Sequence, residues 1–158
     1  MIDEASEILI RSATNRDCAR VQRLVFDVLR EYGLPPDPAG TDRDIADIER
    51  HYIDRGGVFE LLENKEGNLL GTVGLYPMTV DTVELRKMYF AKKLRGRGVG
   101  AQTLRRMIER ARELGYRRIY LETATVLKEA VALYAKFGFV PTCEKRTPRC
   151  DAAFTLDI

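Results

Sequence analysis

A glycine-rich stretch directly before an amphipathic helical pattern is the part of this chain best suited to chemistry. Glycines stand at every second position, Gly96, Gly98 and Gly100, in the sequence Arg-Gly-Arg-Gly-Val-Gly-Ala that begins at Arg95. Glycine lets the backbone approach a ligand closely, and the first turn of a helix offers N–H groups that lack acceptors. Both features favour an anion, so the stretch predicts a site for a phosphorylated ligand.

The distribution of charge agrees with an anionic ligand. The formal net charge is only +2, yet residues 86–118 contain twelve Lys and Arg and two acids, a local charge of +10. The rest of the chain therefore carries −8. A positive field around the glycine stretch attracts anions. Taken singly, Arg105, Arg112 and Arg117 are as well explained by a solvated helix face.

Length and composition indicate a globular protein. The chain has 158 residues, of which 45% are hydrophobic and 32% charged. We expect a single domain over residues 1–158 with one core. A long apolar run and a signal-peptide pattern are both missing, so we expect a cytoplasmic protein that binds no membrane.

The cysteines and the single histidine predict no metal site. Cys18, Cys143 and Cys150 form no C-x-x-C pair, and His51 is far from them in sequence. An odd number of cysteines without a signal peptide favours reduced thiols. Cys18 lies on an apolar helix stripe and is expected in the core, whereas Cys150 lies in a charged turn where a thiol can be reactive.

The pattern of apolar residues predicts the elements that position the glycine stretch. Thr14 and Asp17 form a capping-box pattern at the start of a first helix, which Gly33 and three prolines end. A helix joins the strands at 79–90 and 119–122, so these strands are expected to be parallel. The fold class is α+β: a mixed, mostly antiparallel sheet of about seven strands with helices on both faces. Strands are predicted at 7–12, 58–63, 69–76, 79–90, 119–122, 139–143 and 153–158, and later helices at 98–114 and 127–137.

Residues 34–52, called the lid segment below, are predicted to cover a substrate cleft. They comprise a loop at 34–41 and a short acidic helix at 42–52 that turns Ile45, Ile48 and Tyr52 inward. The acids of this helix can attract a cationic substrate, although complementing the helix dipole explains the first two equally well. These acids are Asp42, Asp44, Asp47 and Glu49.

The strand before the glycine stretch does not keep one alternation. Val83, Leu85 and Lys87 share one face with Tyr89, whereas Glu84 and Arg86 share the other with Met88 and Phe90. A β-bulge near Lys87 or Met88 repairs this pattern and leaves backbone N–H groups unpaired. Such groups can bind an extended amide chain as another strand does.

Two motifs make the chain resemble GNAT-type N-acetyltransferases, a superfamily that binds acetyl coenzyme A. The signature Gln/Arg-x-x-Gly-x-Gly/Ala is matched at residues 95–100, after a strand of the type Glu-Leu-x-x-Met-x-Phe at 84–90. A second signature, Leu-Tyr-x-x-x-Gly-Phe, is matched at residues 133–139. The resemblance extends over nearly the whole chain. It implies acetyl-CoA as co-substrate, direct transfer to an amine acceptor in a ternary complex, a splayed parallel strand pair, and homodimers as in many members.

The resemblance implies roles for individual residues. Backbone groups of Met88 and Phe90, with Tyr89 between them, pair with the pantetheine arm and polarise the thioester carbonyl. Tyr134 donates a proton to the departing thiolate, unless it is only a core residue beside Leu133. Backbone N–H groups of the glycine stretch hold the pyrophosphate; the residues of this stretch are Arg95, Gly96, Arg97, Gly98, Val99, Gly100 and Ala101.

A general base has two candidates. Glu84 lies on the cofactor strand and acts through a water, although an ion pair with Arg86 is expected to lower its pKa and weaken it. Glu122, near the end of the parallel strand, is the second candidate. Where many members of the superfamily carry Asn, this chain has Leu127; Thr123, Thr125 or Lys128 are candidates to replace that cofactor contact.

Three other functions compete with this interpretation. Gly96-x-Gly98-x-x-Ala101, with Glu122 about twenty residues later, fits the loose dinucleotide fingerprint, but a basic segment precedes it where a buried strand is required. Nucleic-acid binding lacks aromatic residues interleaved with the basic ones. A GNAT fold that binds acyl-CoA without catalysis, as a sensor or regulatory subunit, remains open. The identity of the acceptor is not encoded in any motif.

Overall fold

One mixed sheet organises the chain. The computed structural model describes residues 7–158, and within them seven strands lie in the order β1-β2-β3-β4-β5-β7-β6. Only β4 and β5 pair in parallel, so the predicted crossover and the mostly antiparallel sheet are confirmed. The strands are β1 Leu9–Ser12, β2 Val58–Glu63, β3 Leu69–Pro77, β4 Thr82–Phe90, β5 Arg118–Thr123, β6 Val140–Thr142 and β7 Ala152–Asp157.

Three helices cover the two faces of the sheet, as predicted. They are α1 Cys18–Glu31, α2 Val99–Glu113 and α3 Lys128–Lys136. The capping box of Thr14 and Asp17 forms in a 3-10 turn just before α1. Helix α1 packs with the lid segment on one face, where Ile45, Ile48 and Tyr52 are buried. Helices α2 and α3 enclose the main core on the other face.

The bulge predicted in the glycine-proximal strand is present. Thr72 of β3 pairs with Tyr89 and Gly74 pairs with Arg86, so Lys87 and Met88 both lie opposite a single residue. Lys87 has φ +54°, the one positive value at a non-glycine position in the described chain. The Thr72 hydroxyl donates to the Lys87 carbonyl at 2.7 Å and holds this conformation. The bulge places the side chain of Lys87 on the same side of β4 as that of Arg86, because both reach Asp44. The alternation of side chains is therefore reversed from Lys87 onward.

Apart from shifts of one or two residues at the ends of elements, two differences from the prediction have local reasons. Strand β4 begins at Thr82 instead of residue 79, because the Thr79 hydroxyl accepts hydrogen bonds from the N–H groups of Asp81 and Thr82 and closes a turn. The acidic segment is not one regular helix. It forms a 3-10 turn at Arg43–Ala46 and a single π-helical turn at Glu49–Ile53. None of the helices in residues 7–158 has the length and apolar character needed to cross a bilayer.

Candidate active site

A cavity of about 740 Å³ opens where the two parallel strands separate. Strands β4 and β5 pair only from Thr82 to Glu84, so their later residues diverge and leave a cleft. One half, called the glycine-loop half, lies at the end of β4 and the starts of α2 and α3. The other, called the lid half, lies between the lid segment, β4 and the loop 143–151. The lid half is lined by Thr41, Arg43, Asp44, Tyr76, Glu84, Arg86, Glu122 and Thr147, among others.

Backbone donors line the glycine-loop half. Gly96 and Gly98 have φ values of +76° and +77°, which glycine adopts without strain, and Gly98 is the N-cap of α2. Among the described residues, the first N–H of this segment that bonds into the helix is that of Gln102, which donates to Gly98 O at 3.1 Å. The N–H groups of Gly98, Val99, Gly100 and Ala101 lie at the positive end of the α2 dipole, where an anion can bind. The Arg95 N–H, which was expected to join them, donates to Lys92 O at 3.2 Å instead.

Arg95 fixes this loop to its surroundings. Its Nε donates to the Phe90 carbonyl at 3.1 Å, and its guanidinium pairs with Glu31 at the end of α1 at 2.7 Å. The side chain thus points back to the protein and stabilises the loop. A direct charge contact with a phosphate is therefore left to other cations, of which Lys128 at the start of α3 is exposed and lines the cavity.

The edge of β4 that faces the cleft carries free backbone groups. Ala91 N–H donates to Leu70 O of β3 at 2.8 Å, so the N–H group of Phe90, one residue earlier, points to the opposite edge. Within the described chain β5 does not pair with this part of β4. The predicted cofactor residues all line the cavity except Arg97, and Tyr89 does so with a side chain packed toward α1.

The structure reduces the number of residues that can replace the cofactor contact expected at the position of Leu127. Leu127 is the N-cap of α3 and lines the cavity. Thr125 is engaged elsewhere, because its N–H and hydroxyl both donate to Asp151 at 2.7 and 2.6 Å. Thr123, which is buried, and Lys128 line the cavity and are the remaining candidates.

Tyr134 is buried and borders the cavity. Its ring packs against Phe139 and Phe154 at centroid distances of 5.6 and 6.4 Å, and its exposed fraction is 6%. No group in the described part of the chain accepts a hydrogen bond from its hydroxyl. Burial raises the pKa of the Tyr134 hydroxyl well above its usual value, and the nearby Tyr89 and Cys150 add to this. The hydroxyl therefore stays protonated at neutral pH.

Glu84 is a buried carboxylate with one oxygen in use. Arg86 Nε donates to its Oε1 at 2.8 Å, so the ion pair expected from the sequence is present. The expected direction of the pKa shift is wrong, however. Burial raises the pKa of the Glu84 carboxyl more than Arg86 lowers it, and Glu122 raises it further. Among the described residues nothing donates to Oε2.

Glu122 has a structural task that the sequence did not indicate. Its Oε1 accepts the N–H groups of Arg146 and Thr147, the latter at 3.0 Å, and its Oε2 accepts the Thr147 hydroxyl at 2.9 Å. The carboxylate thereby holds the loop 143–151 over the cleft. With its oxygens occupied, Glu122 is the weaker of the two candidate bases.

A buried ion network joins three segments above the cleft. Arg149 of the loop 143–151 donates to both oxygens of Asp42 at 2.7 and 2.9 Å. Lys87 of the bulge lies 3.1 Å from Asp42 and 3.3 Å from Asp44 Oδ1, the latter contact lacking hydrogen-bond geometry. Asp44 also accepts the Tyr52 hydroxyl. Lys87 and Arg149 were not predicted as site residues; the only sequence signal was a lysine where the strand alternation fails.

This network alters the interpretation of the acidic lid segment. Asp42 and Asp44 are paired within the protein and are not free to attract a cation. Asp47 and Glu49 bond the amide side chain and the backbone N–H of Asn15, away from the cavity. We expected these acids to attract a cationic substrate, or the first two to complement a helix dipole. The contacts in the structure support neither expectation, because each acid is bonded within the protein.

We expect Asp42→Asn to destabilise the protein by about 3 kcal/mol at pH 7, because it leaves Lys87 and Arg149 buried without a full counter-charge. Burial raises the pKa of the Asp42 carboxyl, but Arg149 and Lys87 more than offset this and lower it to about 2. Stability from this carboxylate is thus present above its unfolded pKa near 4 and is lost as the pH falls toward 2. Urea unfolding at several pH values measures this.

A matched substitution separates burial from charge. Asp27 forms an exposed pair with Arg30 at 3.5 Å, and Asp27→Asn is expected to change stability by less than about 0.5 kcal/mol. The difference in the free energy of unfolding between wild type and Asp42→Asn is expected to decrease as the pH falls from 4 to 2. If this difference is small at pH 7, or does not change between pH 4 and 2, the buried ion network does not stabilise the protein as proposed.

Burial raises the pKa of the thiols of Cys18 and Cys150. Cys18 is buried, as predicted. Burial raises the pKa of the Cys150 thiol to about 11, Glu122 adds to this, and Arg149 opposes it. Cys150 lines the cavity as a neutral thiol, so the reactivity expected from its charged turn is not supported.

Comparisons with known proteins identify the family and the fold. A family model described as Acetyltransferase (GNAT) family matches residues 23–139. The Escherichia coli protein named Uncharacterized N-acetyltransferase YjgM is 37% identical over 136 residues, 83% of this chain and 81% of that protein. A GNAT-family acetyltransferase from Staphylococcus aureus has a TM-score of 0.88 at 22% identity, covering 95% of this chain and 98% of that chain.

A second solved structure is a phosphinothricin acetyltransferase from Sinorhizobium meliloti in complex with AcCoA. It has a TM-score of 0.73 at 17% identity and covers 96% of this chain and 88% of that chain. At these sequence identities, the two solved structures show that the fold is shared and nothing further.

Proposed function

Because the chain belongs to the GNAT acetyltransferase family and is an acyltransferase, we propose that it transfers acetyl from acetyl-CoA directly to a primary amine in a ternary complex. The observation that carries this proposal is the cavity at the separated strands β4 and β5. It combines free backbone donors at the glycine loop with a buried acid and a buried base candidate.

The glycine-loop half fits the phosphates and pantetheine arm of acetyl-CoA. N–H groups at the start of α2 offer the donor set that a pyrophosphate requires, and Lys128 adds a cation for another phosphate. The N–H group of Phe90 at the free edge of β4 and that of Met88 in the bulge match the amides of an extended arm. Acetyl-CoA itself supplies the acetyl group as a thioester and leaves with its thiol.

Two side chains of this protein accept and donate the protons of the reaction. Glu84 Oε2 takes the proton of the acceptor ammonium, directly or through a water, and its raised pKa improves it as a base. Tyr134 gives its hydroxyl proton to the sulfur that departs. The bulge N–H of Met88 polarises the carbonyl at which the amine attacks, as an oxyanion site. Lys87 and Asp42 keep that bulge in place.

The proposal is tested by titrating acetyl-CoA calorimetrically and then measuring release of free thiol across a library of amines. We expect binding with a stoichiometry of one per chain, and thiol release that depends on an amine. Binding without turnover on any amine contradicts the proposal and favours an acyl-CoA sensor.

We expect Glu84→Gln to lower kcat by about 100-fold and to abolish the acidic limb of the pH profile of kcat/KM. Glutamine keeps the size of the side chain and the contact with Arg86 but cannot accept a proton. In the wild type the rate falls as the pH drops through the raised pKa of Glu84. Stopped assays from pH 5 to 9 measure both changes. Glu122→Gln serves as the comparison; retention of the limb in Glu84→Gln and its loss in Glu122→Gln reverses the assignment.

A further inference from the structure

The lid half of the cavity presents a carboxylate and a guanidinium side by side. Glu84 and Arg86 lie two positions apart on one face of β4, before the bulge, and are joined through Glu84 Oε1 at 2.8 Å. Arg86 is held from behind by the Tyr76 ring, whose centroid lies 3.7 Å from the guanidinium carbon. Both side chains are thus fixed in the cavity wall before an acceptor arrives.

Each member of this pair retains bonding capacity toward the cavity. Glu84 Oε2 receives no hydrogen bond from the described residues. Arg86 directs Nε and Nη2 to Glu84, while its Nη1 lies 3.8 Å from Asp44 Oδ2, beyond hydrogen-bond range. A guanidinium has five N–H donors, so an anionic oxygen can still be bound here. An ammonium at Glu84 Oε2 then lies next to an anion site at Arg86.

The other carboxylates of the lid half are already occupied. Asp42 is paired with Lys87 and Arg149, Asp44 with Tyr52 and Lys87, and Glu122 with the loop 143–151. Asp44 Oδ1 accepts no hydrogen bond, but Asp44 is buried. A polyamine therefore finds no second exposed carboxylate here, whereas an extra anion finds the open donors of Arg86. At the rim, the Arg43 side chain has no hydrogen bond or ion pair within the described residues and adds positive charge.

We propose that the acceptor is a zwitterion: a primary amine whose neighbouring carbon carries a carboxylate, as in an α-amino acid. This inference rests on the proposed function. Glu84 Oε2 binds the ammonium and later takes its proton, and Arg86 Nη1 binds the carboxylate. Arg86 is thus a specificity-determining residue as well as the partner of the base.

The test compares matched acceptors with the wild-type protein. L-Amino acids with neutral side chains are each assayed beside their carboxamide and their decarboxylated amine, with spermidine as a polycation. We expect kcat/KM for the best amino acid to exceed that of its carboxamide and its amine by about 100-fold, since each analogue leaves the Arg86 site unfilled. Spermidine is expected to fall in the same low range.

Arg86→Gln is expected to reduce the preference for the amino acid over its carboxamide to less than about 5-fold, mainly through KM, while the affinity for acetyl-CoA is unchanged. Arg110→Gln, an exposed position on α2 paired with Glu113, is the control and keeps the full preference. Thermal melting verifies that both variants fold.

Failure of this inference can be told from failure of the proposed function. Acetylation of the carboxamide, the simple amine or spermidine at a rate equal to that of the amino acid overturns the inference alone. Binding of acetyl-CoA without acetylation of any compound overturns the proposed function, and the inference with it. An unchanged preference in Arg86→Gln overturns the role of Arg86.

Discussion

Tyr134→Phe lowers kcat by about 100-fold and leaves the affinity for acetyl-CoA unchanged, if the Tyr134 hydroxyl protonates the departing thiolate. The substitution removes one oxygen from a side chain that packs against Phe139 and Phe154 and keeps the ring that fills the core. The hydroxyl has no acceptor in the described chain, so its loss leaves no partner unsatisfied. Folding stability is therefore expected to stay within about 1 kcal/mol of wild type.

The reason for the large effect lies in the protonation state. Burial keeps the Tyr134 hydroxyl protonated at neutral pH, so a proton is present when the thiolate departs. The raised pKa also makes the transfer of this proton less favourable, and the transfer therefore depends on the hydroxyl lying close to the departing sulfur. Phenylalanine cannot supply it, and the thiolate must then leave without neutralisation. The kcat of the variant is expected to recover in part with substrates whose leaving thiol has a lower pKa, a dependence that a packing defect does not produce.

Tyr120→Phe provides the matched control. Tyr120 is also buried, and its hydroxyl donates to the Glu144 carbonyl, but it does not line the cavity. This variant is expected to lose stability and to keep kcat within about 3-fold. An unchanged kcat in Tyr134→Phe assigns that tyrosine to the core alone. Equal losses of kcat in the two variants do the same.

Local sequence patterns predicted the parts of the site that depend on one or two neighbouring segments. The failed alternation around Lys87 indicated the bulge, because a strand with a buried face tolerates only one phase of side chains. The glycine stretch was predicted as a place of close backbone approach before a helix, and in the structure Gly96 and Gly98 have the positive φ values that glycine adopts without strain. The α+β order and the parallel pair followed from the succession of apolar patterns.

The partners of the buried charges were not predictable in the same way. Arg149 and Asp42 are 107 positions apart, and nothing in either neighbourhood indicates that they meet. The pKa direction of Glu84 was wrong because it depends on burial by distant segments, which outweighs the nearby Arg86. Glu122 was assigned to chemistry on its strand position, although the loop that it binds lies some twenty-five residues later.

Gly98→Val is expected to weaken acetyl-CoA binding by more than about 100-fold, the largest binding effect predicted for this protein. Gly98 is the N-cap of α2 at φ +77°, and a Cβ built on it meets no protein atom within 4 Å. The added side chain therefore projects into open space at the glycine-loop half, where the pyrophosphate is proposed to bind. Loss of two charge-assisted hydrogen bonds at this point accounts for a change of this size.

Valine at a positive φ also strains the backbone, so the comparison must hold that strain constant. Gly115, just beyond the other end of α2, has φ +91° and likewise no neighbour within 4 Å of a built Cβ, but it does not line the cavity. Gly98→Val and Gly115→Val are both expected to lose about 1 to 2 kcal/mol of stability. Only Gly98→Val loses acetyl-CoA affinity, as measured by calorimetry on the folded variants. Equal affinities in the two variants contradict the pyrophosphate site, because then neither the position of Gly98 nor its open surroundings affects the ligand.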